Sequence, residues 1–151
     1  MKKIKHFAII TLAIIIISGC TSANIQPITS PTPDNASTIT IFRPDVSLAM
    51  GNDMIVAIDD KEIAVLQNMQ FVSVLVPSGE HKLSVRASFG LMSDATVKIE
   101  PQTTAFFEAA GKGSNSVNFI PGSVFLKATF YIEESDSFDS KDYTEIPVNY
   151  K

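Results

Sequence analysis

The feature that most constrains this chain is a period of two in its apolar residues. Leu83, Val85 and Ala87 alternate with Lys82, Ser84 and Arg86, and Ala95, Val97 and Ile99 alternate with Thr96, Lys98 and Glu100. Successive side chains of an extended chain point to opposite sides, so each stretch makes a strand with one apolar and one polar face. No segment carries a helical period over three turns. From Ser37 onward the chain repeats short apolar runs closed by turn residues. Strands are predicted over Thr38 to Arg43, Met54 to Ile58, Glu62 to Leu66, Phe71 to Val76 and Thr103 to Ala109, the last with Phe106 and Phe107 on opposite faces. Gly111 to Asn115 reads as a loop, Val117 to Ile120 as a short strand ended by Pro121-Gly122, and Phe125 to Ile132 as the close of the hydrophobic part, with a helical turn or two over Phe125 to Glu134 as the alternative. Eight or nine short strands with close turns predict an all-β domain, a small antiparallel β-sandwich, with a small β-barrel as the alternative.

The N-terminus obeys a different rule. Lys2, Lys3 and Lys5 precede an apolar run from Phe7 to Ile17, interrupted only by Thr11, and Ser18-Gly19-Cys20 closes it. As a helix the run reaches about 17 Å at ~1.5 Å per residue, short of the ~30 Å hydrocarbon slab. A cleaved targeting signal is therefore expected over residues 1–19. Ile17-Ser18-Gly19-Cys20 resembles the lipobox of bacterial lipoproteins, an aliphatic residue and two small ones before a cysteine. That resemblance implies cleavage before Cys20 and attachment of lipid to its thiol, with a further acyl chain on the freed amine. Two or more acyl chains give stable anchoring where one gives marginal binding. Thr21 is not the aspartate that favours inner-membrane retention, so the expected location is the outer membrane, facing the periplasm.

Cleavage removes three lysines and leaves nine Lys and Arg against 16 Asp and Glu, a net charge of about −7. Such a surface argues against nucleic acid, whose phosphates are bound by clustered Lys and Arg. Residues 20–36, rich in Ser, Thr, Asn and Pro, read as a flexible linker with a root-mean-square span of about 20–24 Å. The domain is expected over 37–134. Residues 135–151 read as an exposed, partly ordered acidic tail, with Asp136, Asp139, Asp142 and Glu145 spaced by three and an edge strand possible over Thr144 to Val148.

Within residues 37 to 110 the chain also resembles a bacterial lipoprotein family of unknown function related to PEGA modules. The likeness rests on Ile41-Phe42-Arg43-Pro44, on Ile58-Asp59-Asp60-Lys61 with Ala64 and Leu66, and on Val76-Pro77-Ser78-Gly79-Glu80-His81. These match a "YRP" strand, a "DGK" hairpin and a "PPGxH" turn. Phe42 replaces the usual tyrosine, Asp60 the hairpin glycine and Ala64 a second glycine. An aspartate at position 60 favours a type I turn over the type I′ geometry of tight hairpins. The resemblance implies a β-sandwich on a lipid tether with no assigned activity.

Few residues offer chemistry. After cleavage His81 is the one histidine and Cys20, the sole cysteine, carries lipid, so a four-ligand zinc site has no ligands. His81 is expected to pack and hydrogen-bond the Pro77-Ser78-Gly79 turn. The acidic series lacks the alternate spacing and central glycine of a calcium loop. Gly111-Lys112-Gly113-Ser114 lacks P-loop spacing, and no Gly-x-Ser-x-Gly elbow occurs. Asp59-Asp60 and Glu133-Glu134 are adjacent pairs whose members face apart in a strand. Arg43 reads as an edge charge that discourages strand pairing, or as a contact for a charged partner. Phe89-Gly90-Leu91-Met92 is expected to be buried, with an apolar binding tip as the alternative. No cofactor, metal or catalytic residue is expected; Cys20 is the one site. The expected function is a non-enzymatic binding or structural domain in the cell envelope with a protein or glycan partner. The alternatives are an inhibitor of an envelope-attacking enzyme such as lysozyme and a carrier of an apolar ligand.

Overall fold

Nine strands, sorted into two facing sheets, account for most of residues 22–45, 53–87, 92–120 and 123–150, the parts of the chain that the computed structural model describes. They are β1 (Ala36–Arg43), β2 (Met54–Ile58), β3 (Lys61–Leu66), β4 (Gln70–Pro77), β5 (Gly79–Ala87), β6 (Met92–Ile99), β7 (Thr104–Ile120), β8 (Ser123–Ser135) and β9 (Thr144–Glu145). The first sheet has the order β8-β7-β1-β4-β9 and the second β3-β2-β5-β6. The sheets pack against each other without closing, which confirms the sandwich and removes the barrel alternative. The β1–β7 and β4–β9 pairs are parallel and the rest antiparallel, so the sandwich is mixed. Among the described residues no helix is long and apolar enough to cross a membrane.

Alternation decides what faces inward. Leu83, Val85 and Ala87 are fully buried, opposite the outward Lys82 and Arg86. Ile39 and Ile41 of β1, Val72 and Val74 of β4, and Phe107 of β7 meet them from the first sheet. Phe106 turns to the outer face, as the adjacent-phenylalanine pattern predicts. Burying side chains of this size stabilises the domain by about 1.5–3 kcal/mol each relative to exposure, and packing of this kind is the main support available to a chain with a single cysteine.

The turns differ more from expectation. Asp59 and Asp60 both have positive φ, 49° and 63°, the two left-handed residues of a type I′ turn. The hairpin therefore keeps the tight geometry without its usual glycine. Its carboxylates supply the compensation: Asp59 accepts from the Lys82 backbone N–H at 3.0 Å, and Asp60 accepts from Lys82 Nζ at 2.9 Å. Pro77-Ser78-Gly79 is not a hairpin connection but the corner where the chain leaves the first sheet for the second. Gly79 sits there at φ 138°, in open space, so backbone conformation and not crowding is what favours glycine.

Three further expectations change. The stretch from Gly111 to Asn115, read as a loop, lies inside β7, which pairs with β8 through an irregularity between Gly113 and Val117. The helical alternative at Phe125 gives way to β8 for the same reason: a long antiparallel partner satisfies the backbone along its length. Because β1 pairs with β7 only as far as Glu108, the β7–β8 hairpin continues past the end of β1. Finally, both segments flanking the sandwich are tied to it. Gln26 N–H donates to Glu62 O at 2.7 Å and Ile28 N–H to Asn149 O at 3.0 Å, so residues 24–28 of the expected flexible linker lie on the body.

Candidate functional site

Cys20 and the rest of residues 1–21 lie outside the described residues, as do Phe89, Gly90 and Leu91. The described chain shows how the segment leading from Cys20 meets the domain. Glu62, the second residue of β3, has its side chain on the outer face of the second sheet, where Arg86 of β5 projects beside it. Arg86 Nε donates to Glu62 Oε1 at 2.9 Å, and Nη2 donates to the same oxygen. The other carboxylate oxygen accepts the Asn24 backbone N–H at 2.5 Å. Burial pushes the Glu62 carboxyl up, but the Arg86 hydrogen bond, the Asn24 amide and the Arg86 charge outweigh it and hold the group below the ordinary carboxylate range. One ion pair thus fastens the N-terminal segment to two strands. Ile28 then packs against the core and bridges Tyr150 in parallel.

The C-terminal segment is held by aromatic rings. Phe42, Phe71 and Phe106 stand side by side on the outer face of the first sheet, and Phe138 lies over them at centroid distances of 4.8, 5.0 and 6.0 Å. Tyr143 adds an edge contact to Phe42 at 5.7 Å. Beyond it, Ile146 N–H donates to Phe71 O, and Leu75 N–H donates to the Tyr150 hydroxyl at 2.8 Å. The expected edge strand is present but short, Thr144–Glu145. The tail is mostly exposed, and Phe138, Tyr143 and Tyr150 fix its position. Their spacing in the sequence was the available signal.

His81 is nearly buried, and both ring nitrogens are engaged: Nδ1 lies 2.8 Å from Asp59 Oδ2 and Nε2 lies 2.8 Å from Pro77 O. The histidine joins the β2–β3 turn to the Pro77 corner, the structural role its sequence position suggests. His81 also lines a cleft of about 220 Å³ with Ile28, Val74 and Pro77.

Arg43 is neither an edge charge nor a partner contact. It is 1% exposed. Position 43 continues the inward series of Ile39 and Ile41, so the side chain turns under the β3–β4 turn. Nη1 donates to Leu66 O at 2.9 Å, and the Arg43 carbonyl accepts from Met69 N–H at 2.9 Å. Burial lowers its pKa, and the Asp53 charge partly restores it.

The acidic residues are not brought together. Asp139 accepts from Lys141 N–H at 3.1 Å in a single 3-10 turn, and Glu145 lies in β9. Among the described residues no three His, Cys, Asp or Glu side chains cluster as a metal site would need. Glu133 and Glu134 fall in β8 opposite Glu108 and Phe107. Tyr131 donates to Glu108 Oε1 at 2.6 Å; burial first, and then this carboxylate, push the phenol up to about 12. Met92 is 61% exposed at the start of β6, contrary to the burial expected for that apolar stretch. An opening of about 580 Å³ lies between β6 and the β7–β8 pair and is lined by Lys98, Glu100, Phe106, Glu134 and Asp136.

Comparison with known protein families and with curated proteins finds no match for this chain.

Proposed function

We propose that this chain is a bacterial lipoprotein, anchored through lipid on Cys20, whose β-sandwich serves as a non-enzymatic binding or structural domain of the cell envelope. The observation that carries this reading is Ile17-Ser18-Gly19-Cys20 behind a basic and then apolar leader, with Cys20 the only thiol in the chain. The site geometry supports the non-enzymatic part. His81, the strongest candidate base, has both nitrogens committed to Asp59 and to the Pro77 carbonyl. The resemblance to lipoproteins of the PEGA-related kind agrees with the sandwich, and the residue after Cys20 favours an outer membrane facing the periplasm. The partner fits an envelope protein or glycan, because the acidic mature chain is unsuited to nucleic acid.

The test is expression of the full chain in a bacterium supplied with labelled palmitate. The expected product is a labelled band whose N-terminal peptide begins at a diacylated Cys20, lost in Cys20→Ala. A mature chain with an unmodified thiol at position 20 would refute the anchor.

A further inference from the structure

The flexible-linker expectation places the domain a variable distance from the membrane, free to tumble. The hydrogen bonds of the N-terminal segment do not allow that. Asn24 and Gln26 both bond to Glu62, and Ile28 bonds to Asn149 and packs on the core. Only Thr21, Ser22 and Ala23 separate Asn24 from Cys20. At most about 3.3–3.6 Å per residue, the distance from Cys20 to the body cannot exceed about 14 Å. The polar layer on each side of a bilayer is itself about 5–8 Å deep. The Glu62–Arg86 edge therefore lies at the headgroups.

The last tie before Cys20 is the Glu62 carboxylate, on the outer face of the second sheet, so the tether leaves the body across that face. It carries the cations Lys82, Arg86 and Lys98 among the acids Asp60, Glu62, Glu80, Asp94 and Glu100, so most of its acidic charge is offset. Lys82 pairs with Asp60 and Asp94, Arg86 with Glu62, and Lys98 with Glu100. The larger acidic excess lies on the other sheet: Glu133, Glu134, Asp136, Asp139, Asp142 and Glu145 occur with Lys141 as the single cation between residues 133 and 145, on a segment that Phe138 holds against the first sheet. An anionic lipid surface repels that side more strongly than the largely offset one.

Resting on the lipid anchor proposed above, we infer that the outer face of the second sheet, around Arg86, Met92 and Lys98, lies against the phospholipid headgroups of the membrane holding Cys20. The acidic face of the first sheet is turned outward, where a partner would meet it. Exposed Met92 suits the interfacial position, being apolar and unbranched.

With Cys20 carrying lipid, any introduced cysteine is the only free thiol, which permits a clean test in the full lipidated chain. Thr96→Cys places a fluorophore on the outer face of β6, and Ser137→Cys places one on the acidic side; both positions are exposed. The chains are reconstituted into vesicles of phosphatidylethanolamine and phosphatidylglycerol containing a nitroxide-headgroup lipid. The expected result is several-fold stronger quenching at position 96 than at 137. A Gly-Ser spacer inserted between Thr21 and Ser22 should bring the two toward equality. Equal quenching on lipidated, unspaced chains, or stronger quenching at 137, overturns the orientation while leaving the anchor intact. Labelling of two thiols per chain, which shows Cys20 unmodified, overturns both.

Discussion

The Nδ1 atom of His81 lies 2.8 Å from Oδ2 of Asp59, joining the strained turn of one hairpin to the strand beside it. Asp59 also accepts the Lys82 backbone N–H, while its neighbour Asp60 makes only an exposed ion pair with Lys82. Adjacent aspartates in one turn therefore have different energetic roles. Asp59→Ala leaves a nearly buried imidazole nitrogen without its acceptor and is expected to cost about 1–3 kcal/mol. Asp60→Gly relieves a left-handed φ of 63° and removes a pair of the exposed kind worth about 0–1 kcal/mol, so its expected effect is neutral to slightly stabilising. Urea unfolding of both variants in a soluble form lacking residues 1–20 measures the contrast.

Arg43 is the largest fully buried side chain among the described residues, and its guanidinium satisfies the Leu66 carbonyl. Arg43→Ala removes that donor and opens a void, with an expected loss of about 2–5 kcal/mol. Arg43→Lys should recover only part of it, since an ammonium lacks the planar fork. Thermal unfolding ranks the two, and equal midpoints for wild type and Arg43→Ala would contradict the structural role.

Phe138 is the ring through which the C-terminal segment reaches Phe42, Phe71 and Phe106. Aromatic pairs contribute about 0.5–1.5 kcal/mol each beyond simple burial. Phe138→Ala should free residues 136–150 without unfolding the sandwich. Amide exchange should then accelerate at Leu75 and Ile146, which depend on the docked segment, and stay slow at Val85 in the core.

Acid should loosen the N-terminal segment before it unfolds the domain. The Glu62 carboxyl is held below its ordinary range, so the stability it contributes is complete above the unfolded-state pKa and is lost as pH falls through the lower, folded value. The Asn24 amide resonance reports this directly, because that N–H donates to the carboxylate. Its titration midpoint should lie below that of a free glutamate and rise in Arg86→Gln.

Tyr131 shows the opposite sign. Its phenol is pushed up to about 12, so its share of stability is present below the ordinary tyrosine pKa and disappears as pH rises through the folded value. Phenolate absorbance should titrate late in the wild type. In Glu108→Gln the midpoint should fall part of the way, because burial remains.

The strand pattern was legible because alternation is local. Leu83, Val85 and Ala87 share a face in any extended chain, whatever lies opposite, and Phe106 and Phe107 must diverge. Gly111 to Asn115 misled for the converse reason. Glycines and small polar residues favour a loop locally, and only pairing to β8 makes that stretch a strand. Arg43 is similar: its inward direction followed from the register of Ile39 and Ile41, but its acceptor, Leu66 O, comes from β3, two strands later in the chain.

By itself the sequence determined the alternating faces of the strands and the positions of most turns, and it carries the resemblance to a lipobox at Cys20. The tertiary structure alone decided which strands share a sheet, that Pro77-Ser78-Gly79 is a corner, and that both flanking segments are fastened down. These outcomes depend on hydrogen bonds and ring contacts between residues far apart in the chain, such as Asn24 with Glu62 and Phe42 with Phe138. A local pattern fixes which way a side chain points; only the folded chain supplies what it meets.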